Sequence, residues 1–436
     1  MSSVKEFWVN KFGGTSLANA QQIMKVRDIV FADERRKIVV VSAPGKEHKE
    51  DTKITDILLS CHRLIEKGQP FDELFSVVRK RILAIAEALN VNQNKMGKEL
   101  DAIYVQLPKE KSANYAGSRG EYLNAIMIAE AFDATFVDSA EIIFLTNKGQ
   151  VDEKSYDKVA QRLKNIEGRI VVPGFYGTGE DGSVKTFSRG GSDISGAILA
   201  KAMKATKYEN WTDVSGIYVA DPRFAVNAGP VANITYSEIR ELATIGASVL
   251  HEDAIAPVRS ANIPINVRNT NDPTADGTII SETRDIKLAN LVGVSGKKPY
   301  RKVVLEKYML NRDNSAKKAI SNFLEHNNYT VDVVIEAFDT MTLFIYGDLE
   351  EKDLKLINEE LLKSVESCTI SDELVLIGVV GEGLANEKEL VKRVSNKVDV
   401  PFEIISELSP IKMVLSFALE DYNTALNALV DLVVGK

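Results

Sequence analysis

Cysteine and histidine are scarce in this sequence, and long hydrophobic runs are missing. The two cysteines, Cys61 and Cys368, lie far apart and form neither a metal-ligand spacing nor a disulfide framework, so we expect reduced thiols. The four histidines are scattered along the chain. No apolar stretch approaches the roughly 20 residues of a membrane span, and the N-terminus lacks the apolar stretch of a signal peptide. We therefore expect a soluble, cytoplasmic protein with no metal-ligand set and no membrane partner.

Positive charge is not in excess either. The chain has 54 Lys and Arg residues against 62 Asp and Glu, which gives a net charge of -8. Such a protein has no positive field to gather nucleic acid or an anionic membrane. The P-loop pattern G-x-x-x-x-G-K-[ST] also occurs nowhere in the chain. Anionic ligands would have to be held by local groups: a few basic side chains, helix N-termini and glycine-lined backbone amides.

What the sequence does contain, up to about residue 280, is an alternation of strand-like and helix-like segments. Apolar, β-branched runs predict strands, and apolar residues at helical spacing predict helices. The predicted strands are 7–11, 38–41, 136–137, 170–172 and 263–267, and the predicted helices include 18–32, 71–89, 120–132 and 194–203. This order indicates the α/β class, with a mostly parallel sheet covered by helices on both faces. Ligands of such sheets bind beyond the carboxyl ends of the strands.

The pattern changes after a turn-rich stretch at 271–277, which indicates a domain boundary near residue 285. Two successive β-α-β-β-α modules are predicted beyond it, each a ferredoxin-like α+β sandwich. We therefore predict one domain at 1–284 and a second region at 285–436. Its first module covers about 302–372, and its second about 373–436 with a strand from about 290–297.

The segment from Lys11 to Ser16 (KFGGTS) follows the first predicted strand. Its lysine neutralises charge and its glycines let an anion approach the backbone amides, so it suits a phosphate site. Taken alone, it also fits an ordinary strand-to-helix turn, because glycines occur in turns of every kind.

A second segment, 186–193 (TFSRGGSD), precedes the helix predicted at 194–203. Arg189 offers a planar fork for a carboxylate, and Gly190 and Gly191 let a substrate approach the backbone. Asp193 at the start of the helix also fits an N-cap with no catalytic part.

A third segment, 211–223 (WTDVSGIYVADPR), joins a strand end, a glycine turn and an Asp-Pro-Arg sequence. It suits a nucleotide pocket in which Tyr218 offers a flat face and Arg223 a phosphate partner. It also fits a structured loop held by an Asp221–Arg223 pair, because Asp-Pro is common in turns.

A fourth segment, 118–121 (SRGE), is predicted to begin a helix. Glu121 there would either bind an ammonium group or simply gain from the positive end of the helix dipole.

Taken together and in this order, these segments resemble the aspartate kinase family, within the wider superfamily of amino-acid kinases. The matching pieces also include 54–56 (ITD), 174–177 (GFYG) and 246–251 (GASVLH). The two C-terminal modules resemble the paired ACT domains of that family. The resemblance implies a three-layer α/β/α kinase domain followed by regulatory ACT domains. It also implies transfer of the γ-phosphoryl group of ATP to the side-chain carboxylate of L-aspartate, the first step of lysine, threonine and methionine biosynthesis.

The resemblance implies a role for each matching position. Lys11 would contact the transferring phosphoryl group, and Asp193 would orient Lys11 and the substrate. The implied substrate-binding residues are Thr55, Glu121, Arg189 and Ser192, with Arg189 on the α-carboxylate and Glu121 on the α-ammonium group. The implied nucleotide-binding residues are Lys11, Gly13, Gly14, Thr212, Asp213, Tyr218 and Arg223.

The implied cofactors are ATP and Mg²⁺, with the ion bridging the phosphates rather than held by a protein metal site. Ser248 stands where many family members have a lysine next to the phosphates, and Lys185 is a candidate substitute. In the regulatory region the resemblance implies an effector site at Met309 and Asp332, with lysine or threonine as the effector. It also implies a homo-oligomer formed through the ACT domains.

Two alternatives to this function remain open at the level of the sequence. One is an amino-acid kinase with a different acceptor, such as glutamate. The other is a non-catalytic amino-acid sensor that kept the fold, because a fold alone does not determine a function.

Overall fold

The computed structural model describes residues 6–188, 190–247, 252–287, 289–384, 389–406 and 410–435. The chain forms two compact units. The first comprises residues 1–217, 230–236 and 249–284, and the second comprises residues 218–229, 237–248 and 285–436.

The first unit alternates strands and helices in the way that the sequence predicts. Its strands are β1 (Trp8–Phe12), β2 (Arg36–Val41), β3 (Thr135–Phe136), β4 (Ile170–Pro173), β5 (Tyr176–Thr178), β6 (Val184–Thr186), β7 (Lys207–Thr212), β8 (Asn233–Thr235), β9 (Ile265–Asn269) and β10 (Thr278–Ser281). The helices up to residue 260 are α1 (Ala20–Phe31), α2 (Ile54–Glu66), α3 (Asp72–Ala88), α4 (Gln93–Gln106), α5 (Ala113–Ala131), α6 (Ser139–Ile142), α7 (Lys154–Leu163), α8 (Gly191–Met203), α9 (Tyr236–Thr244) and α10 (Glu252–Ser260). All of α9 after Tyr236 belongs to the second unit.

Eight of these strands form one sheet, in the order β3-β4-β2-β1-β7-β9-β10-β8. The strands from β3 to β9 are parallel, β10 runs antiparallel to β9, and β8 runs parallel to β10. Strands β5 and β6 form a separate antiparallel hairpin. The predicted α/β class and mostly parallel sheet are confirmed.

Side chains alternate between the two faces of the central strands, as the pleat of a strand requires. On β1, Phe12 packs into the large core formed with α1 to α5, whereas its neighbour Lys11 contacts Asp193 of α8. On β7, Trp211 joins the same core as Phe12, and its ring stacks on the Phe12 ring with the centroids 5.9 Å apart. Helices therefore cover both faces of the sheet, and α8 lies on the face to which Lys11 points.

The second unit is built on one six-stranded antiparallel sheet, in the order β12-β13-β11-β14-β16-β15. Its elements are β11 (Gly293–Glu306), α11 (Asn314–His326), β12 (Thr330–Glu336), β13 (Thr340–Tyr346), α12 (Glu351–Leu361), β14 (Ser367–Val380), α13 (Leu390–Lys397), β15 (Glu403–Ser406), β16 (Lys412–Ala418) and α14 (Tyr422–Val434). The order of strands and helices within 293–434 is that of two ferredoxin-like modules, as predicted.

The two modules share their central strands. The residues of β11 from Tyr300 onward pair with β13, and its earlier residues pair with the C-terminal half of β14. That half of β14 pairs in turn with β16. Each of the two long strands therefore contributes to both modules.

Two predictions about helix starts are wrong. Helix α5 begins at Ala113, where the Ser112 side chain accepts a hydrogen bond from the N–H of Asn114, so 118–121 lies inside the helix and not in its first turn. Helix α8 begins at Gly191 with Gly190 as its N-cap, so Asp193 is not the cap. The dipole explanation for Glu121 and the cap explanation for Asp193 therefore both fail.

Candidate active site

A buried ion pair joins the first strand to helix α8. The Lys11 ammonium lies 2.7 Å from Oδ1 of Asp193, and Lys11 is only 9% exposed. Asp193 is in the first turn of α8, where the positive end of the helix dipole favours a carboxylate. The two residues that the resemblance names as catalytic are therefore in direct contact.

The glycine turn lies immediately beside this pair. A side chain at Gly13 would begin 3.6 Å from Nζ of Lys11, so the ammonium group borders the turn. The Gly13 N–H donates to the carbonyl of Trp211, at the end of β7, at 3.1 Å. This bond holds the turn against the carboxyl end of the neighbouring strand, where an α/β sheet binds its ligands.

The turn after β1 also touches the loop after β2. The Gly45 N–H donates to the carbonyl of Gly14 at 2.8 Å. A Cβ at Gly45 would lie 2.4 Å from the carbonyl carbon of Gly14, and one at Gly14 would lie 3.0 Å from the carbonyl oxygen of Ala43. Only glycine fits at position 45, because real side chains do not approach backbone atoms so closely.

Glu121 is a buried carboxyl group at the same end of the sheet. The residue is 6% exposed, and Oε2 has no hydrogen-bond partner among the described residues. Burial raises the pKa of Glu121 to about 8, although the N–H of Ala43 and the charge of Arg119 act in the opposite direction. A buried acceptor without a donor is the feature expected of a site that receives an ammonium group from a ligand.

Thr55 lies beside Glu121, in the first turn of α2. A Cβ at Gly120 would lie 3.4 Å from Oγ1 of Thr55 and 2.7 Å from Cβ of Ala43. Glycine at position 120 therefore lets α5 pack closely against the start of α2 and the loop after β2. Ala43 in turn donates its N–H to Glu121, and its carbonyl oxygen borders Gly14, so Glu121 and the glycine turn share this neighbour.

Ser192 packs at the end of β4. A Cβ at Gly174 would lie 2.7 Å from Oγ of Ser192, so α8 approaches the strand end closely. Phe175 has a φ of 80°, a strained value for a residue with a side chain, and its N–H donates to Oγ of Ser195. Arg189 lies outside the described residues, so its predicted contact with the substrate carboxylate stays a prediction.

The predicted nucleotide-binding residues fall in both units. In the first unit, Thr212 is the last residue of β7 and Asp213 follows it, and Oγ1 of Thr212 donates to Oδ1 of Asp213 at 3.2 Å. Tyr218 and Arg223 belong to the second unit, and Arg223 forms an exposed ion pair with Asp221 at 2.5 Å. The alternative interpretation of segment 211–223 as a structured loop predicts this Asp221–Arg223 pair. The predicted ATP contacts of these four residues stay predictions.

Lys185 has partners of its own. Its ammonium donates to the carbonyl oxygens of Thr146 and Asn147 at 3.0 Å and 2.9 Å. Lys185 is the candidate to replace the phosphate-binding lysine that many family members have at position 248. Ser248 itself lies outside the described residues. Lys185 therefore holds together a turn in this structure, and its role as a substitute stays a prediction.

The predicted effector residues lie in the second unit. The Asp332 carboxylate accepts a hydrogen bond from the Lys297 ammonium at 2.5 Å and another from the Tyr300 hydroxyl. Asp332 occupies an irregularity in the pairing of β12 with β13, a common feature at functional sites. The Met309 N–H donates to Oδ1 of Asp339 at 2.7 Å. The Asp332 carboxylate and the Met309 N–H therefore both have hydrogen-bond partners within the chain.

Sequence reasoning missed two residues of this site. Asn210 of β7 contacts both Lys11 and Asp193, but an asparagine inside a strand gives no signal of its own in the sequence. Gly45 is required by its approach to Gly14, a contact between two loops that the sequence does not reveal.

Within the parts of the chain that the structure describes, no three His, Cys, Asp or Glu side chains group together as a metal site would require. No helix of those parts has both the length and the apolar character needed to cross a bilayer. The predicted cytoplasmic location stays a prediction.

Several known proteins are similar to this chain in sequence and in fold. The model of the amino acid kinase family matches residues 6–269. Aspartokinase 3 of Bacillus subtilis is 35% identical, and the match covers 97% of each chain. The structure of aspartate kinase from Clostridium acetobutylicum has 36% identity and a TM-score of 0.92, and the match covers 98% of this chain and 100% of that one. Aspartokinase III of Escherichia coli, solved with aspartate and ADP, has 25% identity and a TM-score of 0.74 with the same coverage.

These matches include the segments that place Lys11, Glu121 and Asp193 around one end of the parallel sheet. They extend through the second unit as well, because the coverage is nearly complete in both directions. The chain therefore belongs to the amino acid kinase family and, within it, to the aspartate kinases.

Proposed function

We propose that this protein transfers the γ-phosphoryl group of ATP to the side-chain carboxylate of L-aspartate, giving 4-phospho-L-aspartate and ADP. The observation that carries the proposal is the Lys11–Asp193 pair beside the glycine turn. The unpartnered acceptor of Glu121 lies at the same end of the sheet. The near full-length identity to an aspartokinase supports the same reaction.

The chemistry requires little from the protein besides position and charge. A carboxylate oxygen of aspartate forms the bond to the γ-phosphorus, the bond from that phosphorus to the β,γ-bridging oxygen breaks, and ADP leaves with the electron pair. The aspartate carboxylate is already ionised at neutral pH, so no general base is needed. Alignment and stabilisation of the phosphoryl charge then account for most of the rate.

In this proposal the Lys11 ammonium donates to the transferring phosphoryl group, and Asp193 holds that ammonium in place. The backbone N–H groups of the turn at Gly13 and Gly14 bind phosphate oxygens. Ionised Glu121 accepts a hydrogen bond from the α-ammonium group of aspartate, and Arg189 binds the α-carboxylate. Thr55 and Ser192 are further substrate contacts. The burial of Glu121 gives this ion pair a low-dielectric setting, in which it is stronger than in water.

The nucleotide is proposed to be ATP with Mg²⁺. Mg²⁺ prefers oxygen ligands, and in phosphoryl transfer it neutralises charge on the phosphates. The phosphate oxygens would supply these ligands, so the proposal requires no metal site built from protein side chains. Thr212, Tyr218 and Arg223 are the remaining proposed nucleotide contacts.

We also propose that an amino acid regulates the enzyme through the second unit. The carboxylate of Asp332 already accepts a hydrogen bond from the Lys297 ammonium. The same carboxylate could bind the side-chain ammonium of a lysine effector. The Lys297 ammonium also lies 3.8 Å from the centre of the Tyr346 ring, an arrangement that favours cations. Activity assays with lysine and threonine, singly and together, test this proposal, and no inhibition by any of them contradicts it.

The experiment that tests the proposed reaction is the trapping of the acyl phosphate with hydroxylamine. We expect hydroxamate only when ATP, Mg²⁺ and L-aspartate are all present, and much less with L-glutamate. We expect Lys11→Ala to lower kcat about 100-fold or more, because it removes a charge aimed at the transferring group. Lys98→Ala, which changes an exposed lysine of α4, is the matched control and should retain full activity. No hydroxamate from the unaltered protein would exclude the kinase and favour an amino-acid sensor.

A further inference from the structure

Asn210 links the two members of the catalytic ion pair. It lies on β7 directly opposite Lys11 in the parallel pairing of β1 with β7, so the two side chains share one face of the sheet. Its Nδ2 donates to Oδ1 of Asp193 at 3.0 Å, and its Oδ1 accepts from the Lys11 ammonium at 3.4 Å. Lys11, Asp193 and Asn210 therefore form a closed ring of three contacts.

Only one orientation of the amide satisfies this ring. If the amide were turned over, its NH₂ group would face the Lys11 ammonium, two donors against each other, and its oxygen would face the Asp193 carboxylate. Asn210 is 6% exposed, so water does not compete freely for these contacts. Asparagine is unfavourable inside a strand, and an apolar residue at this buried position would pack without needing hydrogen bonds. The amide is therefore suited to direct its neighbours rather than to stabilise the strand.

We propose that Asn210 is a positioning residue for phosphoryl transfer; the inference rests on the proposed kinase function and on the role of Lys11 in it. A lysine ammonium has three N–H groups. Asp193 takes one and Asn210 takes a second, so the direction of the third is set by the tetrahedral geometry of the nitrogen. That third N–H is the one left for a phosphoryl oxygen, and the ammonium borders the glycine turn at Gly13.

Removing the amide would leave Asp193 as the single partner of Lys11 in this ring. The ammonium would then be free to turn about its bond and to give two hydrogens to the carboxylate. Its charge would still attract ATP, but its N–H would no longer be aligned with the transferring group. Loss of alignment lowers the rate of the chemical step more than the binding of substrates.

The test uses Asn210→Leu and Asn210→Asp in the full-length protein. The leucine variant removes both hydrogen bonds and keeps the number and branching of the side-chain heavy atoms. The aspartate variant keeps an acceptor for Lys11 but places a second carboxylate against Asp193. Asn266→Leu is the matched control, because Asn266 is a buried asparagine on the neighbouring strand β9. The measurements are kcat and the KM values for ATP and aspartate, together with the midpoint of thermal unfolding.

We expect Asn210→Leu to lower kcat at least tenfold, with both KM values within threefold, in a variant whose thermal unfolding shows that it is folded at the assay temperature. Asn210→Asp should lower kcat further, and Asn266→Leu should leave kcat within twofold. If the leucine variant fails to fold, Asn210→Thr, whose hydroxyl is too short to reach both partners, gives the same test. A leucine variant with kcat within twofold, or with only raised KM values, would overturn the role of Asn210. That outcome is distinct from failure of the kinase function, in which the unaltered protein itself forms no hydroxamate.

Discussion

At the scale of single residues, the protonation of Glu121 makes both stability and aspartate binding depend on pH. Burial raises the pKa of its carboxyl group to about 8 in the free protein, so the group carries a proton at neutral pH. In the unfolded chain the same group has a pKa of about 4.3. The folded protein thus binds the extra proton between these two values, and the contribution of Glu121 to stability is lost as the pH rises through about 8.

The same shift predicts a pH dependence of aspartate binding. The α-ammonium of aspartate binds the ionised carboxylate, so in the free enzyme below pH 8 binding must release the proton of Glu121. We expect the KM for aspartate to fall close to tenfold for each pH unit from 6 to 8, and then to level off. Steady-state kinetics over this pH range measures the effect. Calorimetry in buffers of different ionisation enthalpy should detect one proton released for each aspartate bound.

Glu121→Gln is the control for this prediction. The amide cannot ionise, so the KM for aspartate should be high and nearly constant between pH 6 and 8. The pH dependence of stability that comes from Glu121 should disappear in the same variant. A KM that is independent of pH in the unaltered enzyme would contradict the assignment of Glu121 to the ammonium group.

At the scale of elements, the turn after β1 depends on the loop after β2. Position 45 has no room for a Cβ, which would lie 2.4 Å from a backbone carbon of Gly14. Backbone atoms on both sides of the contact make a local adjustment costly, so a side chain here would push the two loops apart. The glycine turn would then move away from the Lys11 ammonium, which lies beside Gly13.

We therefore expect Gly45→Ala to lower the free energy of unfolding by about 1–3 kcal/mol, a typical cost of overpacking. It should also lower kcat/KM for ATP at least tenfold, because the amides of the turn are displaced. Urea unfolding and steady-state kinetics give the two quantities. Gly97→Ala is the matched control: position 97 lies inside α4 with open space around it, so alanine should add roughly 0.5–1 kcal/mol of stability there.

The elements also show what the sequence reveals and what it does not. Strands β2 and β4 contain the continuous apolar, β-branched runs 38–41 and 170–172, and this pattern alone predicts a buried parallel sheet. The predicted start of α5 is wrong because its first turn, from Ala113 to Gly117, has no helical apolar periodicity. The start of the helix is instead set by the Ser112 side chain. Its first residues are retained by contacts that come from outside the helix, such as the hydrogen bond from Thr186 to the Asn114 side chain.

The site was predictable to the extent that it lies at strand ends. Lys11 and Asp193 are adjacent to the glycines that the resemblance singles out, and the structure brings these two side chains into contact. Asn210 was missed because its importance depends on the register of β7 against β1, which places it opposite Lys11. Register between strands about 200 positions apart is a property of the folded sheet and leaves no local pattern in the sequence.

At the scale of the whole molecule, the second unit has an exposed apolar surface next to an open sheet edge. Strand β12 is at one end of the six-stranded sheet. The exposed apolar side chains at this edge are those of Tyr308, Met309, Val334, Ile335 and Phe338, of which Phe338 is 76% exposed. Val334 and Ile335 are consecutive on β12 and therefore lie on opposite faces of the sheet. Open edges and exposed apolar patches are both features of interaction surfaces. We propose that a second copy of the chain covers this surface, which gives the homo-oligomer implied by the resemblance.

A second copy suits this surface because a two-fold axis beside β12 would pair the strand with its own equivalent and bury the same apolar side chains twice. A charge at Phe338 would face another charge across such an axis, so we expect Phe338→Asp to raise the dissociation constant of the dimer about 100-fold or more. Analytical ultracentrifugation over a range of concentrations measures it. Val105→Asp, which changes an exposed valine on α4, should leave the dimer unchanged. A monomeric unaltered protein, or a Phe338→Asp variant that dimerises as tightly as the unaltered chain, would show that another surface is used.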